Sequence, residues 1–203
     1  CFGYFAHNML SLNERLTEHL ADPPAGMPRE RLWQVRAREV VLATGAIERP
    51  LVFPGNDRPG VMLASAARTY LHRHGVKVGS RVVLVAGCDA AYATALDLRA
   101  AGVTVARIAD TRTAPGEAAL AAAAAVGLSV VTGVTVLGTT GWLRVTGITL
   151  AHLGADRTVQ DRETVDCDAV LMSGGYTPTV HLFSQSRGKL RFDESQGVFV
   201  PGT

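Results

Sequence analysis

The sequence predicts an α/β fold, in which strands and helices alternate along the chain. One observation is a strand–helix–strand unit, with an apolar strand at 81–85, a helix at 89–101 and a second strand at 103–108. A second observation is a pair of apolar runs that both end in glycine, at 40–45 and 168–175. Continuous apolar runs are typical of strands buried on both faces of a parallel sheet.

The first sixty residues predict strands and then a crossing segment. Residues 1–12 suit a short strand, and the Pro- and Gly-containing stretch at 21–28 predicts a turn. Strand-like runs follow at 31–37 and 39–44, and the second is continuous and apolar, as in a buried central strand. The segment 49–60 is rich in Pro and Gly and has no periodicity, so it predicts a linker between domains.

The rest of the chain predicts further alternation. A helix is expected at 61–74, because Met62, Ala66 and Tyr70 recur at helical spacing and Gly75 follows as a C-cap. The later predicted elements are an alanine-rich helix at 117–126, short strands at 128–131 and 134–137, one arm of a hairpin at 142–153, a polar segment at 155–166 and a buried strand at 168–172.

Composition excludes several classes of protein. The chain has 203 residues, a net charge of +2 and 47% hydrophobic residues, enough for one or two cores. Basic residues are scattered among acidic ones, which argues against nucleic acid as a partner. Three distant cysteines support neither a zinc site nor a disulfide framework, so we expect a reducing, cytoplasmic setting. No apolar run reaches the roughly 18 residues of a membrane helix.

Neither a metal site nor a catalytic group is predicted. His72 and His74 are two residues apart on a predicted helix, so they do not share a face as a metal-binding pair would. No Ser/His/Asp arrangement can be argued, and we predict no catalytic residue. The chain begins at Cys1 and stops just after an apolar stretch at 198–200, so we expect an internal piece of a longer protein.

The first candidate site is the strand end formed by Ala43, Thr44 and Gly45. Ligands of open α/β sheets lie at the carboxyl ends of strands. Glycine allows the backbone to approach a flat or charged ligand, and the Thr44 hydroxyl can hydrogen-bond to it. The alternative is a plain exit from a strand into a turn.

The second candidate is the loop at 86–91, which reads Ala-Gly-Cys-Asp-Ala-Ala where a dinucleotide fingerprint has G-x-G-x-x-G/A. Cys88 places a side chain where the pyrophosphate needs bare backbone, and Asp89 adds a negative charge beside it. Gly87 and Asp110 are therefore candidates for a degenerate nucleotide site, with Asp110 in the place of a ribose-binding acid. The alternative is that Asp110 is a turn residue, and the damaged glycines favour it.

The third candidate is the glycine pair Gly174 and Gly175, in the run Met-Ser-Gly-Gly-Tyr-Thr-Pro at 172–178. It mirrors the first candidate, since a buried strand again runs into glycine. Two such strand ends that flank a strand–helix–strand unit form a more specific pattern than either does alone.

These three features, in this order, resemble the two-dinucleotide-binding flavoproteins of the pyridine nucleotide-disulfide reductase type. The resemblance implies an incomplete FAD-type domain with an inserted NAD(P)-type domain. The implied parts are the rear of the FAD-type domain at 1–50, a crossover linker at 51–60, a degenerate inserted domain at 61–160 and a return into the FAD-type domain at 161–203. The runs 43–66, 89–96 and 172–178 resemble, more narrowly, the alpha subunits of heterotetrameric sarcosine oxidases.

That resemblance implies a function for the whole complex. The family demethylates sarcosine oxidatively, giving glycine, hydrogen peroxide and a one-carbon unit passed to tetrahydrofolate. It implies NAD in the FAD-like site of this subunit, FAD in the beta subunit and an FMN shared between the alpha and beta subunits. It also implies tetrahydrofolate on a separate C-terminal domain, and beta, gamma and delta subunits as partners. The alternatives are an NAD(P)H-dependent reductase, the alpha subunit of an opine, octopine or proline dehydrogenase, and a non-enzymatic interaction module. The residues alone leave open whether NAD, FAD or ATP fills the first site.

Overall fold

The structure, a computed structural model, describes residues 1–154, 156 and 158–202. The chain divides into two compact units. Unit 1 consists of Cys1–Ile47 with Thr177–Thr203, and unit 2 consists of Glu48–Tyr176. No helix in the described residues is long and apolar enough to cross a membrane.

Fifteen strands and four α-helices make up the described chain. The strands are β1 Gly3–Phe5, β2 Met9–Arg15, β3 Glu30–Arg36, β4 Ala46–Glu48, β5 Val61–Leu63, β6 Arg81–Ala86, β7 Thr104–Asp110, β8 Val130–Val131, β9 Val134–Thr140, β10 Gly147–Leu153, β11 Val159–Asp166, β12 Ala169–Ser173, β13 Tyr176–Pro178, β14 Leu190–Asp193 and β15 Val198–Pro201. The helices are α1 Ala64–His74, α2 Tyr92–Ala100, α3 Glu117–Ala125 and α4 His181–Gln185.

Unit 2 is built on a five-stranded parallel sheet with the order β5-β12-β6-β7-β8. The strand nearest the end of unit 2, β12, lies between β5 and β6, so it completes the centre of the sheet. A second sheet, antiparallel and in the order β11-β10-β9, belongs to the same unit. The α/β prediction is confirmed.

The two faces of the parallel sheet bury different layers. On β6, Val82 and Leu84 pack with residues of α1, α2 and α3, while Val83 and Val85 pack with residues of the antiparallel sheet. All four of these side chains are fully buried. Unit 2 is therefore a three-layer structure, and burial on both faces explains why β6 is continuously apolar.

Helix α1 ends where the sequence predicts. Gly75 adopts a left-handed conformation with φ 64°, and its N–H donates to the carbonyl oxygen of Leu71. Such a C-cap closes the last turn of a helix, and glycine takes this conformation without a steric penalty. The first three residues of the predicted helix, 61–63, instead form β5.

Unit 1 holds smaller sheets. Strands β1, β2 and β3 form one antiparallel sheet, and β14 pairs with β15 in another. All seven residues of β3 are exposed, including Leu32 and Trp33. The sheets of this unit therefore present apolar side chains at the surface.

Three sequence predictions are corrected by the structure. The run at 39–44 does not form a strand, because no described strand pairs with this segment. Its residue Val41 is 92% exposed, so the run is not a buried central strand. Trp142 does not belong to a hairpin arm, since β10 begins at Gly147 and residues 141–146 form the turn. The polar segment 155–166 contains an edge strand, β11, whose residues are mostly exposed and therefore polar.

The unit boundaries also differ from the predicted domain boundaries. Unit 2 includes both the Pro/Gly-rich segment at 51–60 and residues 161–176. Phe53, inside the predicted linker, is only 7% exposed and packs in the core beside Val145. The linker composition reflects tight turns, such as the Asn56 N–H to Phe53 carbonyl hydrogen bond of 3.2 Å.

Candidate functional site

The first predicted site forms a pocket within unit 1. Two segments distant in sequence meet there, because the Thr44 hydroxyl donates to the carbonyl oxygen of Thr179 at 2.6 Å and the Thr179 N–H donates to the Gly45 carbonyl at 2.9 Å. They enclose a volume of about 240 Å³. The pocket is lined by Leu42, Ala43, Thr44, Gly45, Pro178, Thr179, Val180, Phe183 and Pro201.

Gly45 exposes its backbone on one side of this pocket. Its φ is +66°, a conformation that favours glycine, and a Cβ built on it would meet no atom within 4 Å. The backbone is therefore exposed on that side, as a close-approaching flat ligand requires. The pocket is smaller than the sites of whole cofactor-sized ligands, which have volumes of roughly 300–1,000 Å³, so it has room for only part of such a ligand.

The predicted glycine pair does not line this pocket. Gly174 donates its N–H to the carbonyl oxygen of Arg49 at 2.7 Å, and the Arg49 N–H donates to the Gly175 carbonyl at 2.8 Å. A Cβ on Gly174 would lie 3.1 Å from the Arg49 carbonyl oxygen. Gly175 has φ +90°, and a Cβ on it would lie 3.1 Å from a guanidinium nitrogen of Arg49. In unit 2, these glycines allow two chain segments to approach closely.

The second predicted site is crowded by the protein itself. Gly87 donates its N–H to the Ser173 carbonyl oxygen at 2.7 Å, and a Cβ on Gly87 would lie only 3.0 Å from that oxygen. The half-buried Cys88 has its Sγ 3.4 Å from the Ser173 Oγ. This loop therefore packs against the end of β12, and glycine at position 87 is required by that approach.

Asp110 ends β7 and is fully buried. Its carboxylate accepts hydrogen bonds from the Tyr92 hydroxyl at 2.9 Å and from Arg112, through the backbone N–H at 2.9 Å and the guanidinium at 2.9 and 3.1 Å. Burial of Tyr92 and its hydrogen bond to Asp110 raise the pKa of the Tyr92 hydroxyl. The hydrogen bonds from Arg112 occupy the acceptor positions that a ribose hydroxyl would need.

The neighbouring carboxylate, Asp89, is also held by the protein. It accepts from the Gly116 N–H at 3.1 Å, at the start of α3, and from the Arg112 guanidinium at 2.7 Å. These hydrogen bonds, first that of Gly116 and then that of Arg112, lower the pKa of Asp89. Arg112 thus bridges the carboxylates that follow β6 and end β7, and this role was not predicted from the sequence. The position of Arg112 two residues after Asp110 is the sequence feature that could have indicated this role.

A further polar cluster, also not predicted, lies near the carboxyl end of β5. Glu48 is 5% exposed, and one of its oxygens accepts from the Ser65 N–H at 2.9 Å and the Ser65 hydroxyl at 2.5 Å. Burial, and then the charge of Glu48, raise the pKa of the Tyr176 hydroxyl. The cluster holds the start of α1 against the segment that enters unit 2.

Comparison with known proteins identifies homologues of the chain. No protein-family model matches it. The sarcosine oxidase alpha subunit of Corynebacterium sp. (strain P-1) is 45% identical over 204 residues, which cover 98% of this chain. The sarcosine oxidase alpha subunit of Rhizobium meliloti (strain 1021) is 40% identical over 203 residues, which cover all of this chain. The chain is homologous to one segment of sarcosine oxidase alpha subunits.

The resemblance seen in the sequence is thereby confirmed for this segment. The chain spans about a fifth of the length of these relatives, 21% and 20% respectively. An opine oxidase subunit of Agrobacterium tumefaciens (strain Ach5) is also similar, 42% identical over 81 residues that cover 40% of this chain. The named relatives are therefore oxidoreductase subunits.

Solved structures show the fold of this chain. Thioredoxin reductase from T. acidophilum superimposes with a TM-score of 0.60 at 19% identity, covering 85% of this chain and 60% of that one. The L-proline dehydrogenase from P. horikoshii gives 0.57 at 22% identity, covering 85% and 28%. A FAD-dependent pyridine nucleotide-disulphide oxidoreductase from Desulfovibrio vulgaris gives 0.55 at 16% identity, covering 85% and 47%. The predicted two-dinucleotide-binding fold is confirmed.

Proposed function

We propose that this chain is a cofactor-holding part of the alpha subunit of a sarcosine oxidase-like complex. Its complex would oxidise sarcosine to glycine, release hydrogen peroxide and pass the one-carbon unit to tetrahydrofolate. The observation that carries the proposal is 40–45% identity to sarcosine oxidase alpha subunits over 98% or more of the chain. The beta, gamma and delta subunits would be its partners.

The proposed role of the unit 1 pocket is to bind one portion of NAD. Two features support this assignment: the backbone of Gly45 is open to the pocket, and the hydroxyl of Thr44 is fixed by its hydrogen bond to Thr179. In open α/β folds, dinucleotides bind in the crevice beside the carboxyl ends of the strands, and the family resemblance puts this segment near such a site. A bound dinucleotide would supply a nicotinamide or, if FAD takes its place, a flavin ring capable of hydride transfer. The residues of this chain would bind and orient it.

Oxidation of the amine is proposed to occur on another chain. The predicted site residues that line the pocket are one glycine, one alanine and a threonine that already donates its hydroxyl proton to a carbonyl. Such groups position a ligand but do not act as an acid, base or nucleophile. FAD would be held in the beta subunit, FMN would be shared between the alpha and beta subunits, and tetrahydrofolate would bind a separate domain.

Unit 2 is proposed to be an inserted domain that has lost nucleotide binding. A working NAD(P)H-dependent reductase of this fold would need free acceptors at the end of β7. In unit 2, Asp110 has no exposed surface and is engaged by Arg112 and Tyr92. The geometry therefore favours the cofactor-holding role over the reductase alternative.

The test compares two glycine variants in the full-length subunit, assembled with its partners. Gly45→Trp should fill the pocket and lower the nucleotide recovered from the purified complex at least tenfold, as measured by mass spectrometry. Gly26→Trp is the matched control, because Gly26 also has a positive φ and open space around it but lies outside the pocket. The wild-type complex should release hydrogen peroxide with sarcosine in preference to opines or proline.

Two results would count against the proposal. Equal nucleotide content in the Gly45→Trp and Gly26→Trp complexes would show that the unit 1 pocket does not bind the nucleotide. Peroxide release with an opine or proline, and none with sarcosine, would remove the substrate assignment.

A further inference from the structure

Unit 2 contains a second pocket, between α1 and α2, which we call the α1–α2 pocket. Its volume is about 390 Å³, within the range of roughly 300–1,000 Å³ that small-molecule sites have. Among its lining residues, Ser65 follows β5, Ala90 follows β6 and Tyr176 follows β12. The pocket is therefore at the carboxyl edge of the parallel sheet, where open α/β sheets bind their ligands.

One face of α1 forms the longest wall of this pocket. The lining residues of α1 recur at helical spacing, and they are Ser65, Arg68, Thr69, His72 and Arg73. From the first to the last of them the helix rises about 12 Å. This wall carries three basic side chains, and no carboxylate side chain lines the pocket in the part of the chain that the structure describes.

The basic side chains are only partly neutralised by the protein. One oxygen of Asp97, on α2, lies 2.6 Å from Arg68 Nε and 2.7 Å from His72 Nε2. Burial of Asp97 opposes its charge, but the hydrogen bonds with His72 and Arg68 hold its pKa below the usual value. The terminal nitrogens of Arg68 and the whole side chain of Arg73 form no hydrogen bond or ion pair with a described residue. These groups are therefore free donors for an anion.

The hydroxyl groups of the pocket have the opposite character. The Ser65 hydroxyl donates to Glu48 at 2.5 Å, the Thr69 hydroxyl to the Ser65 carbonyl at 2.9 Å, and the Thr94 hydroxyl to the Ala64 carbonyl at 3.3 Å. Thr94 is only 2% exposed, so its hydroxyl is held firmly. Because a hydroxyl has a single proton, each of these three can offer only its lone pairs to a ligand.

A negative charge lies behind the same end of the pocket. Glu48 is 5% exposed and is joined to Ser65, while burial and then the charge of Glu48 raise the pKa of Tyr176. The second oxygen of Glu48, Oε1, is buried and forms no hydrogen bond of normal geometry with a described residue. This end of the pocket therefore favours a positively charged donor and disfavours a second anion.

The geometry points to a binding site for a small zwitterionic amino acid in the α1–α2 pocket. The carboxylate of the ligand pairs with Arg68 and Arg73, and its ammonium group donates to the hydroxyl oxygens of Ser65 and Thr94. A phosphate ester brings only negative charge and would meet the lone pairs beside Glu48, whereas a simple amine would meet the arginines. The inference goes beyond the proposed function and does not depend on it, because it follows from the charges and hydrogen bonds of the pocket itself.

The experiment titrates glycine, the simplest ligand of this class, into the complex that contains the full-length subunit, by calorimetry. Arg73→Gln should lower the affinity of one glycine site per complex about tenfold. Thr94→Val, which keeps the shape of the side chain but removes the acceptor, should lower it about fivefold. Arg99→Gln is the matched control, because Arg99 is an exposed arginine of α2 outside the pocket, and it should bind glycine like the wild type. Arg73 is exposed and has no partner to lose, so its variant should keep the wild-type melting temperature.

Competition in the wild-type complex tests the class of ligand. Acetate and methylamine each carry one of the two charges, so either should need at least a tenfold higher concentration than glycine to fill the site. Acetate that binds as tightly as glycine would make the pocket a simple anion site, and tighter binding of inorganic phosphate would make it a phosphate site. Identical glycine titrations of the wild type and Arg73→Gln would exclude an amino-acid site in this pocket. Peroxide release with sarcosine is measured on the same samples, so a failure of the proposed function is seen separately from a failure of this site.

Discussion

At the scale of single residues, Arg112 supports the proposal that the inserted domain has lost nucleotide binding. It reaches two carboxylates, Asp110 at 2.9 Å and Asp89 at 2.7 Å. In an open site of this fold the acid at the end of the second strand hydrogen-bonds to a ribose hydroxyl. Here a guanidinium of the same chain holds that acid, and hydrogen bonds between two charged groups are stronger than those between neutral ones.

The first prediction concerns this arginine. Arg112→Ala leaves the fully buried Asp110 carboxylate without its cationic partner, so the free energy of unfolding should fall by about 3–5 kcal/mol. Urea denaturation of the chain, followed by circular dichroism, measures the change. Arg99→Ala is the control, because Arg99 is exposed on α2, and its effect should stay within about 0.5 kcal/mol. Equal effects of the two substitutions would show that the ion pair of Arg112 with Asp110 does not stabilise the fold.

At the scale of elements, the sequence predicted best where the signal is local. The strand β6 and the cap at Gly75 depend on apolar continuity and on a single glycine, and both were predicted. The prediction of a strand at 39–44 was wrong because a strand needs a hydrogen-bonded neighbour, which apolar residues alone do not specify. β11 was missed because an exposed edge strand has no buried face to create an alternating pattern.

The candidate sites show the same limit. Ala43, Thr44 and Gly45 line a pocket, although the strand predicted before them does not form, and their role in binding a cofactor stays a prediction. Gly174 and Gly175 share the pattern, yet they pack against Arg49 instead. Sequence could not separate the two cases, because the difference lies in which distant segment approaches each glycine. The Arg112 bridge joins residues up to 23 positions apart and was missed for the same reason.

The second prediction, at the scale of elements, concerns the turn before β5. Gly60 has φ +98°, and a Cβ on it would lie 2.7 Å from a methyl carbon of Val145 and 3.1 Å from the Asp168 carbonyl oxygen. Gly60→Ala should therefore cost about 1–3 kcal/mol from overpacking in addition to backbone strain. Gly75→Ala is the control, since its φ of +64° brings strain of about 1 kcal/mol but no atom lies within 4 Å. In thermal denaturation, Gly60→Ala should have a lower melting temperature than Gly75→Ala. The reverse order would show that the turn shifts to accommodate the added methyl group.

At the scale of the whole molecule, the two units differ in how they are stabilised. Both large clusters of buried apolar residues in the described chain lie within unit 2. Unit 1 instead exposes apolar side chains on its small sheets, including Leu32, Trp33, Phe192 and Phe199. Burial of apolar surface is the main source of folding stability, so unit 2 contains what it needs to fold by itself.

This contrast leads to the last prediction, which also tests the position of the domain boundary. A fragment of residues 48–176 should unfold cooperatively in urea, because it contains all five parallel strands and both layers that cover them. A fragment of residues 61–160, the inserted domain expected from the sequence, is the comparison. It lacks β12, whose residues pair with both β5 and β6, so the parallel sheet is split and the core loses Val170 and Leu171. We expect this shorter fragment to show no cooperative transition, and a transition equal to that of 48–176 would mean that β12 is not needed to complete the sheet.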